Sequence, residues 1–351
     1  MLGLKKMISL ALAAIMLCST LAGCAGSGDG GKQVLNVYNW GDYIGEDVIA
    51  EFEDQYDCKV NYEMFEQNED MYTKLKTVKG TYDVVIPSDY MIERMIKEDM
   101  LAELDKENIP NLQHIIDYCL NRDFDPGNKY SVPYMWGTVG IIYNTKMVDA
   151  PITGWKDLWD KKYEKNLFMM NSVRDSMGIA LLLCGYDMNS RNEQEIEAAK
   201  EKLIEQKPLV LAYTGDEVKD KMVAGEAAMA VCYSGDAITM IEQNPDLDYV
   251  IPEEGSNLWF DNMCVMKDAP NKELAEKFID FMCSEEIAAE NREYINYSTP
   301  QQQVLDNLPD EIRNDKVQYP DEATLARCEI YKDLGDMAAK YDEFWTKIMV
   351  N

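Results

Sequence analysis

Histidine is almost missing from this 351-residue chain, where His114 stands alone. That scarcity argues against zinc centres and against nucleophilic triads built on an imidazole base. Basic residues are also short: 34 Lys and Arg face 64 Asp and Glu, for a net charge of −30 spread along the whole sequence. Such a surface opposes nucleic acid and anionic membrane faces as partners, while it permits a cationic ligand. The simplest meaning of the charge is an acidic, water-exposed surface. CxxC spacing is absent among the nine cysteines. Setting aside Cys18 and Cys24 near the N-terminus leaves Cys58, Cys119, Cys184, Cys232, Cys264, Cys283 and Cys328, an odd set placed in apolar runs. They read as small buried hydrophobes rather than a disulfide framework or a metal site. No repeat of solenoid length is visible.

One longer apolar run exists, Met7 to Ala22, and it is too short to span a bilayer comfortably. Lys5 and Lys6 precede it and LAGC (Leu21–Cys24) ends it. A basic start, an apolar stretch and small residues at a cut describe an export signal over residues 1–23. LAGC resembles a bacterial lipobox, which implies lipid on Cys24 and an anchor to the membrane. Loss of Lys5 and Lys6 with the signal takes the net charge from −30 to −32. Residues 24–32 read CAGSGDGGK, a Gly-rich flexible tether.

Beyond the tether, strands alternate with helices. VLNVYNW reads as a strand, after which Ile44, Val48, Ile49, Phe52 and Tyr56 recur at helical spacing. CKVNYEMF is a second strand, Asn68 a helix N-cap, and YDVVIPSDY a third strand ended by Pro87. The order predicts a mostly parallel α/β sheet with ligand groups beyond the strands' carboxyl ends, where Trp40–Tyr43 and Ser88–Tyr90 lie. From Ser131 a long extended segment, SVPYMWGTVGIIYNT, leads into a second α/β set. In that set TGWKDLWD opens a helix capped by Thr153, PLVLAY and AAMAVCY are strands, and Ala269 to Glu290 is one helix. Trp155 and Trp159 on the first of these read as packing.

The motifs YNWGDYI, YDVVIPSDY, SVPYMWGTVGI, GWKDLW, YSGDA, LWFDN and YSTP together resemble the polyamine (spermidine/putrescine) substrate-binding proteins of bacterial ABC importers. The likeness runs through nearly all of the mature chain. It implies a type II periplasmic-binding-protein-like fold of two α/β lobes, joined by a two-segment hinge near Trp136–Thr138 and Leu258–Asp261. By that likeness one lobe holds residues 33–137 plus 261–303, the other 138–260 plus 304–351, and ligand sits in the cleft between them.

The resemblance also implies a ligand site, residue by residue. Trp40 and Tyr43 match the first aromatic pair, with Asp42 between them resembling an acid of putrescine-type members. Ser88 and Tyr90 match PSxY, and Asp175 matches an acid that reads an amine, with Ser172 and Arg174 close in sequence. Tyr233 stands where the family has tryptophan, and Asp236 resembles another putrescine-type acid. Trp259, Asp261 and Tyr297 match the central aromatic, the acid nearest an ammonium and a late aromatic. Tyr331 stands where spermidine-type members have glutamine, and Ser172 where they have an acid. Chemically this is what a polyamine needs: acceptors for the ammonium groups and π or apolar faces along the methylenes. Bland readings compete with it, since each aromatic alone reads as packing and Asp42 alone as a helix cap. The expected function is a lipid-anchored, monomeric, extracytoplasmic receptor that delivers putrescine or spermidine to an ABC permease, without cofactor, metal or catalysis. Thiamine or ferric ion in the same fold is the alternative, and a secreted hydrolase using paired carboxylates the remotest.

Overall fold

The computed structural model describes residues 31–350, so the signal segment and Cys24 lie outside the described residues. Strand β1 (Gln33–Trp40) buries Leu35 and Val37 completely, and pairs in parallel with β2 (Cys58–Phe65) and β3 (Val84–Val85). Between these strands run α1 (Val48–Tyr56) and α2 (Asn68–Thr77), and α3 (Asp89–Lys97) follows β3. Tyr38 stacks on Tyr82 at 4.7 Å and faces Phe65 at 5.0 Å, so it belongs to the core.

Two strands carry the chain between the halves of the molecule. β4 (Ser131–Asn144) is buried along its whole length. Its residues Ser131–Thr138 pair antiparallel with β9 (Leu258–Val265), and Val139–Asn144 pair antiparallel with β7 (Met229–Tyr233) and β8 (Leu247–Val250). A strand buried on both faces has no use for polar alternation, which explains the near-continuous apolar run. β5 (Leu167–Met170) lies parallel to β7 and to β6 (Ala212–Thr214), and the strand order is β2-β1-β3-β9-β4-β7-β5-β6. The second half carries α4 (Val173–Leu183), α5 (Glu193–Gln206), α6 (Val218–Val223) and α7 (Ser234–Gln243). After β9 come α8 (Lys272–Met282) and α9 (Glu285–Ile295), and near the C-terminus α10 (Ala338–Val350). Phe52 of α1 meets Phe278 of α8 at 5.0 Å between ring centroids, which locks these two helices together. Gly137 is required where β4 meets β9, since a Cβ there would stand 2.7 Å from the Trp259 ring and from the Ser234 hydroxyl.

The sheet corrects the expectation of mostly parallel pairing: four strand pairs are parallel and four antiparallel. The cause is the pair of crossing strands, β4 and β9, which run against their neighbours. Trp155–Trp159 is a short 3-10 helix rather than an α-helix, and Thr153 does not cap it with its side chain. Instead the Asp157 carboxylate accepts from the Thr153 and Gly154 amides. The expected single helix over 269–290 is two, because Ser284 is extended and its hydroxyl donates to the Phe281 carbonyl at 2.7 Å. PLVLAY contributes only Ala212 and Tyr213 to β6, after a 3-10 turn at Lys207–Leu209.

Candidate functional site

The end of β9 pairs with β3 through Cys264 and Val265, and next to that pairing Ser88 and Asp261 form an isolated antiparallel bridge. The Ser88 hydroxyl donates to Asp261 Oδ1 at 2.6 Å and the Tyr43 hydroxyl to Oδ2 at 2.9 Å. Asn68, expected as a cap, is the first residue of α2 and does another job. Its side-chain carbonyl accepts from the Ser88 amide and its side-chain amide donates to the Ser88 hydroxyl. Asp89 is wholly buried and accepts from the Phe260 and Tyr90 amides, tying the start of α3 to β9. The result at Asp261 is a carboxylate only 6% exposed whose partners are hydroxyls rather than cations. Burial pushes the Asp261 carboxyl up to about 7, against the pull of both hydrogen bonds.

Asp175 is a second buried acid, in the first turn of α4. Ser172 caps that helix by accepting from the Asp175 amide, and its hydroxyl also donates to Asp175 Oδ2 at 2.6 Å. Tyr233 donates to the same oxygen at 3.1 Å, while the Tyr331 hydroxyl lies 3.4 Å from Oδ1 and 3.0 Å from the Arg174 carbonyl. Burial raises the Asp175 carboxyl too, opposed by Ser172, Tyr233 and Arg174. Arg174 is held elsewhere: its guanidinium stacks on the Tyr331 and Tyr90 rings and donates to the Lys332 carbonyl and to Asn189. Tyr90 in turn donates to Glu69 at 2.9 Å, and burial raises the Glu69 carboxyl.

Between these acids stands a wall of rings. Trp259 meets Tyr233 at 5.9 Å and Tyr297 at 5.0 Å, both edge-to-face, and Tyr297 meets Tyr43 at 5.8 Å. Gly235 allows this approach, because any Cβ there would run into the Tyr297 ring. Asp236, in the first turn of α7, completes the far end with 17% of its side chain exposed. Burial raises its carboxyl to about 6, with Lys219 pulling it down and Asp216 and Asp42 pushing it up.

Nine of the expected residues thus join through hydrogen bonds or ring contacts: Tyr43, Ser88, Asp175, Tyr233, Asp236, Trp259, Asp261, Tyr297 and Tyr331. Tyr90 connects to them through Tyr331, at 6.1 Å between ring centroids. Trp40 is half-buried and packs on Phe65 at 4.4 Å, with its indole N–H unpartnered. Asp42 is no helix cap: α1 starts at Val48 with Asp47 before it. It takes a left-handed backbone (φ 47°), leaves 70% of its side chain in water, and meets the linked residues through Lys219 at 3.5 Å. Sequence reasoning missed Lys219, Asp89 and Glu69. Lys219 sits in TGDEVKDK, which carries no signal beyond a charged helix face.

Chemically the site offers buried carboxylates short of cations, flanked by π faces and hydroxyls. That suits an organic cation and opposes an anion. Among the described residues no group of three His, Cys, Asp or Glu side chains converges as a metal site, and the cysteines are free thiols.

Comparison with known proteins agrees in kind. The model for bacterial extracellular solute-binding proteins matches residues 47–319. The spermidine/putrescine-binding periplasmic protein of Salmonella typhimurium is 37% identical over 319 residues, 90% of this chain and 92% of that one. A solved structure of a putative spermidine/putrescine ABC transporter from Listeria monocytogenes superposes with a TM-score of 0.88 at 41% identity, covering 90% of this chain and 99% of its own. The Streptococcus pneumoniae spermidine/putrescine ABC transporter substrate-binding protein gives 0.78 at 40% identity, covering 91% and 99%. The fold is therefore the type II periplasmic-binding-protein architecture, and the chain belongs to the family of bacterial extracellular solute-binding proteins.

Proposed function

We propose that the chain is an extracytoplasmic receptor that captures a polyamine, putrescine or spermidine, and hands it to an ABC permease. The observation that carries this reading is Asp261: a buried carboxyl held by two hydroxyls, next to the linked rings of Tyr43, Tyr297 and Trp259, with no cationic side chain beside it among the described residues. A carboxylate so placed is costly unless a ligand brings the opposite charge. The relatives named for spermidine and putrescine support the choice of amine. Asp175 and Asp261 would take ammonium groups, and Trp259, Tyr233, Tyr43 and Tyr297 the methylenes between them.

The lobes in this reading are 33–137 with 261–303, and 138–260 with 304–351. The last segment touches both: Gln318 hydrogen-bonds Arg292 and the Asn296 carbonyl, while Tyr331 reaches α4. A ligand that bridges Asp261 and Asp175 contacts both lobes at once, so it favours the closed state by the difference in contacts between closed and open. The receptor is monomeric, tethered through lipid on Cys24, and performs no reaction. Among the described residues no helix is long and apolar enough to cross a membrane.

A thermal-shift series with putrescine, spermidine, spermine, cadaverine, thiamine and ferric ion tests the reading. Amine at about a hundred times its Kd adds about 2.7 kcal/mol, which raises Tm by several degrees. Silence with every amine at millimolar concentration overturns the proposal.

A further inference from the structure

We propose that Lys219 is a built-in cation that fills one ammonium seat of the cleft, so that the site is set for ligands bringing two ammonium groups rather than three. This rests on the polyamine reading and deepens it. Three acids belong to the linked set, and they differ in what neutralises them. Asp261 has hydroxyl donors only. Asp175 has Arg174 next to it in sequence, but that guanidinium spends its hydrogen bonds on Lys332 and Asn189. Asp236 alone has an ammonium pointed at it, Lys219 Nζ at 3.8 Å, and the same nitrogen lies 3.5 Å from Asp42 Oδ2.

The placement is unlike that of an ordinary surface lysine. Lys219 comes from α6, Asp236 from α7, and Asp42 from the turn after β1, in the other half of the molecule. Its side chain is 23% exposed, against 54% for Lys97 in the surface pair with Glu93. Although burial disfavours its charge, Asp236, Asp216 and Asp42 together hold the Lys219 ammonium above its ordinary range. Asp216 completes this acidic mouth, standing 3.6 Å from where a Cβ on Gly41 would lie.

Two acids without an ion-pair partner, one of them only eased at a distance by Arg174, and one acid with its own ammonium define a count. A diamine neutralises Asp175 and Asp261 and leaves Lys219 in place. A triamine has a third ammonium, which must either displace Lys219 from Asp236 and Asp42 or stop beside a like charge. Lys219 therefore lowers triamine affinity selectively, and in the diamine complex it closes the mouth by bridging both sides.

Calorimetry with putrescine and spermidine on the wild type, Lys219→Met, Lys219→Gln and Lys219→Arg tests this. The expected result is a shift in the spermidine-to-putrescine affinity ratio of about tenfold or more toward spermidine in both neutral variants, with Lys219→Arg keeping the wild-type ratio. If both amines change by the same factor, or neither changes, the seat-filling role is wrong. Wild-type protein that binds neither amine is a different result: it removes the polyamine reading itself. Using two neutral variants guards against one that misfolds.

Discussion

Asp261 and Asp236 are both largely withdrawn from water and both held above the ordinary carboxylate range, yet they are built for different fates. Asp261 is fixed from three directions: by Ser88, which Asn68 holds; by Tyr43; and by its own strand, β9. Its neighbours supply protons for hydrogen bonds but no charge, so charge must come from outside. Asp236 lies at the mouth with Lys219 and shares that lysine with Asp42. One acid is preorganised and unpaired, the other paired and partly wet. A rigid, dry, unpaired carboxylate gains most from an incoming ammonium, because little solvent must be displaced and nothing rearranged.

The largest effect expected from this contrast is in Asp261→Asn. Removing one partner of a buried charge pair costs about 2–5 kcal/mol, so calorimetry should show putrescine affinity falling about a hundredfold or more. Asp54→Asn, an exposed change on α1, should leave it within about twofold. Equal affinities for the two variants would show that Asp261 does not seat the amine. Asp175→Asn should weaken binding less, about tenfold, since Arg174 already offsets part of that charge.

Proton linkage sharpens the same comparison. Above about pH 7 Asp261 is a carboxylate, and below it the proton competes with the amine. Titration calorimetry should then find affinity falling by about tenfold between about pH 8 and about pH 6, and Asp261→Asn should flatten that slope. For stability the sign is opposite to that of a salt-bridged acid. The folded protein holds a proton on Asp261 that the unfolded chain releases near about pH 4, so ligand-free stability falls as pH rises from about 4 to about 7. At about pH 8 the ligand-free Asp261→Asn variant should melt no lower than wild type, by differential scanning fluorimetry; a clearly lower Tm would show that the charge is already compensated. Among the acids matched to the site, the smallest effect belongs to Asp42→Asn: with its side chain 70% exposed, putrescine affinity should change by less than about threefold.

Much of this is legible in the sequence where the signal is local. The strand-to-helix switch after Trp40 is written in periodicity, as are Leu35 and Val37 on the buried face. The break at Ser284 leaves a local mark as well, an extended cap residue followed by two first-turn acids, but the apolar spacing on either side hides it. The acids and aromatics of the cleft emerge from the sequence only through motif resemblance. Without the motif Asp261 and Asp54 look alike as letters, and in the fold burial separates them. Asp42 shows the converse, an acid in a site motif that stays mostly in water.

Order along the chain carries most of the strands and helices, the acidic surface and the joint occurrence of LWFD, YSGD and PSDY, because propensity, periodicity and motif identity are carried by neighbours along the chain. That β4 and β9 run against the other strands, that Asn68 holds Ser88, and that Lys219 reaches both Asp236 and Asp42 is visible in the folded chain alone. Those facts depend on residues far apart in sequence meeting across the sheet, and the charge state of a carboxylate depends on what surrounds it rather than on what flanks it.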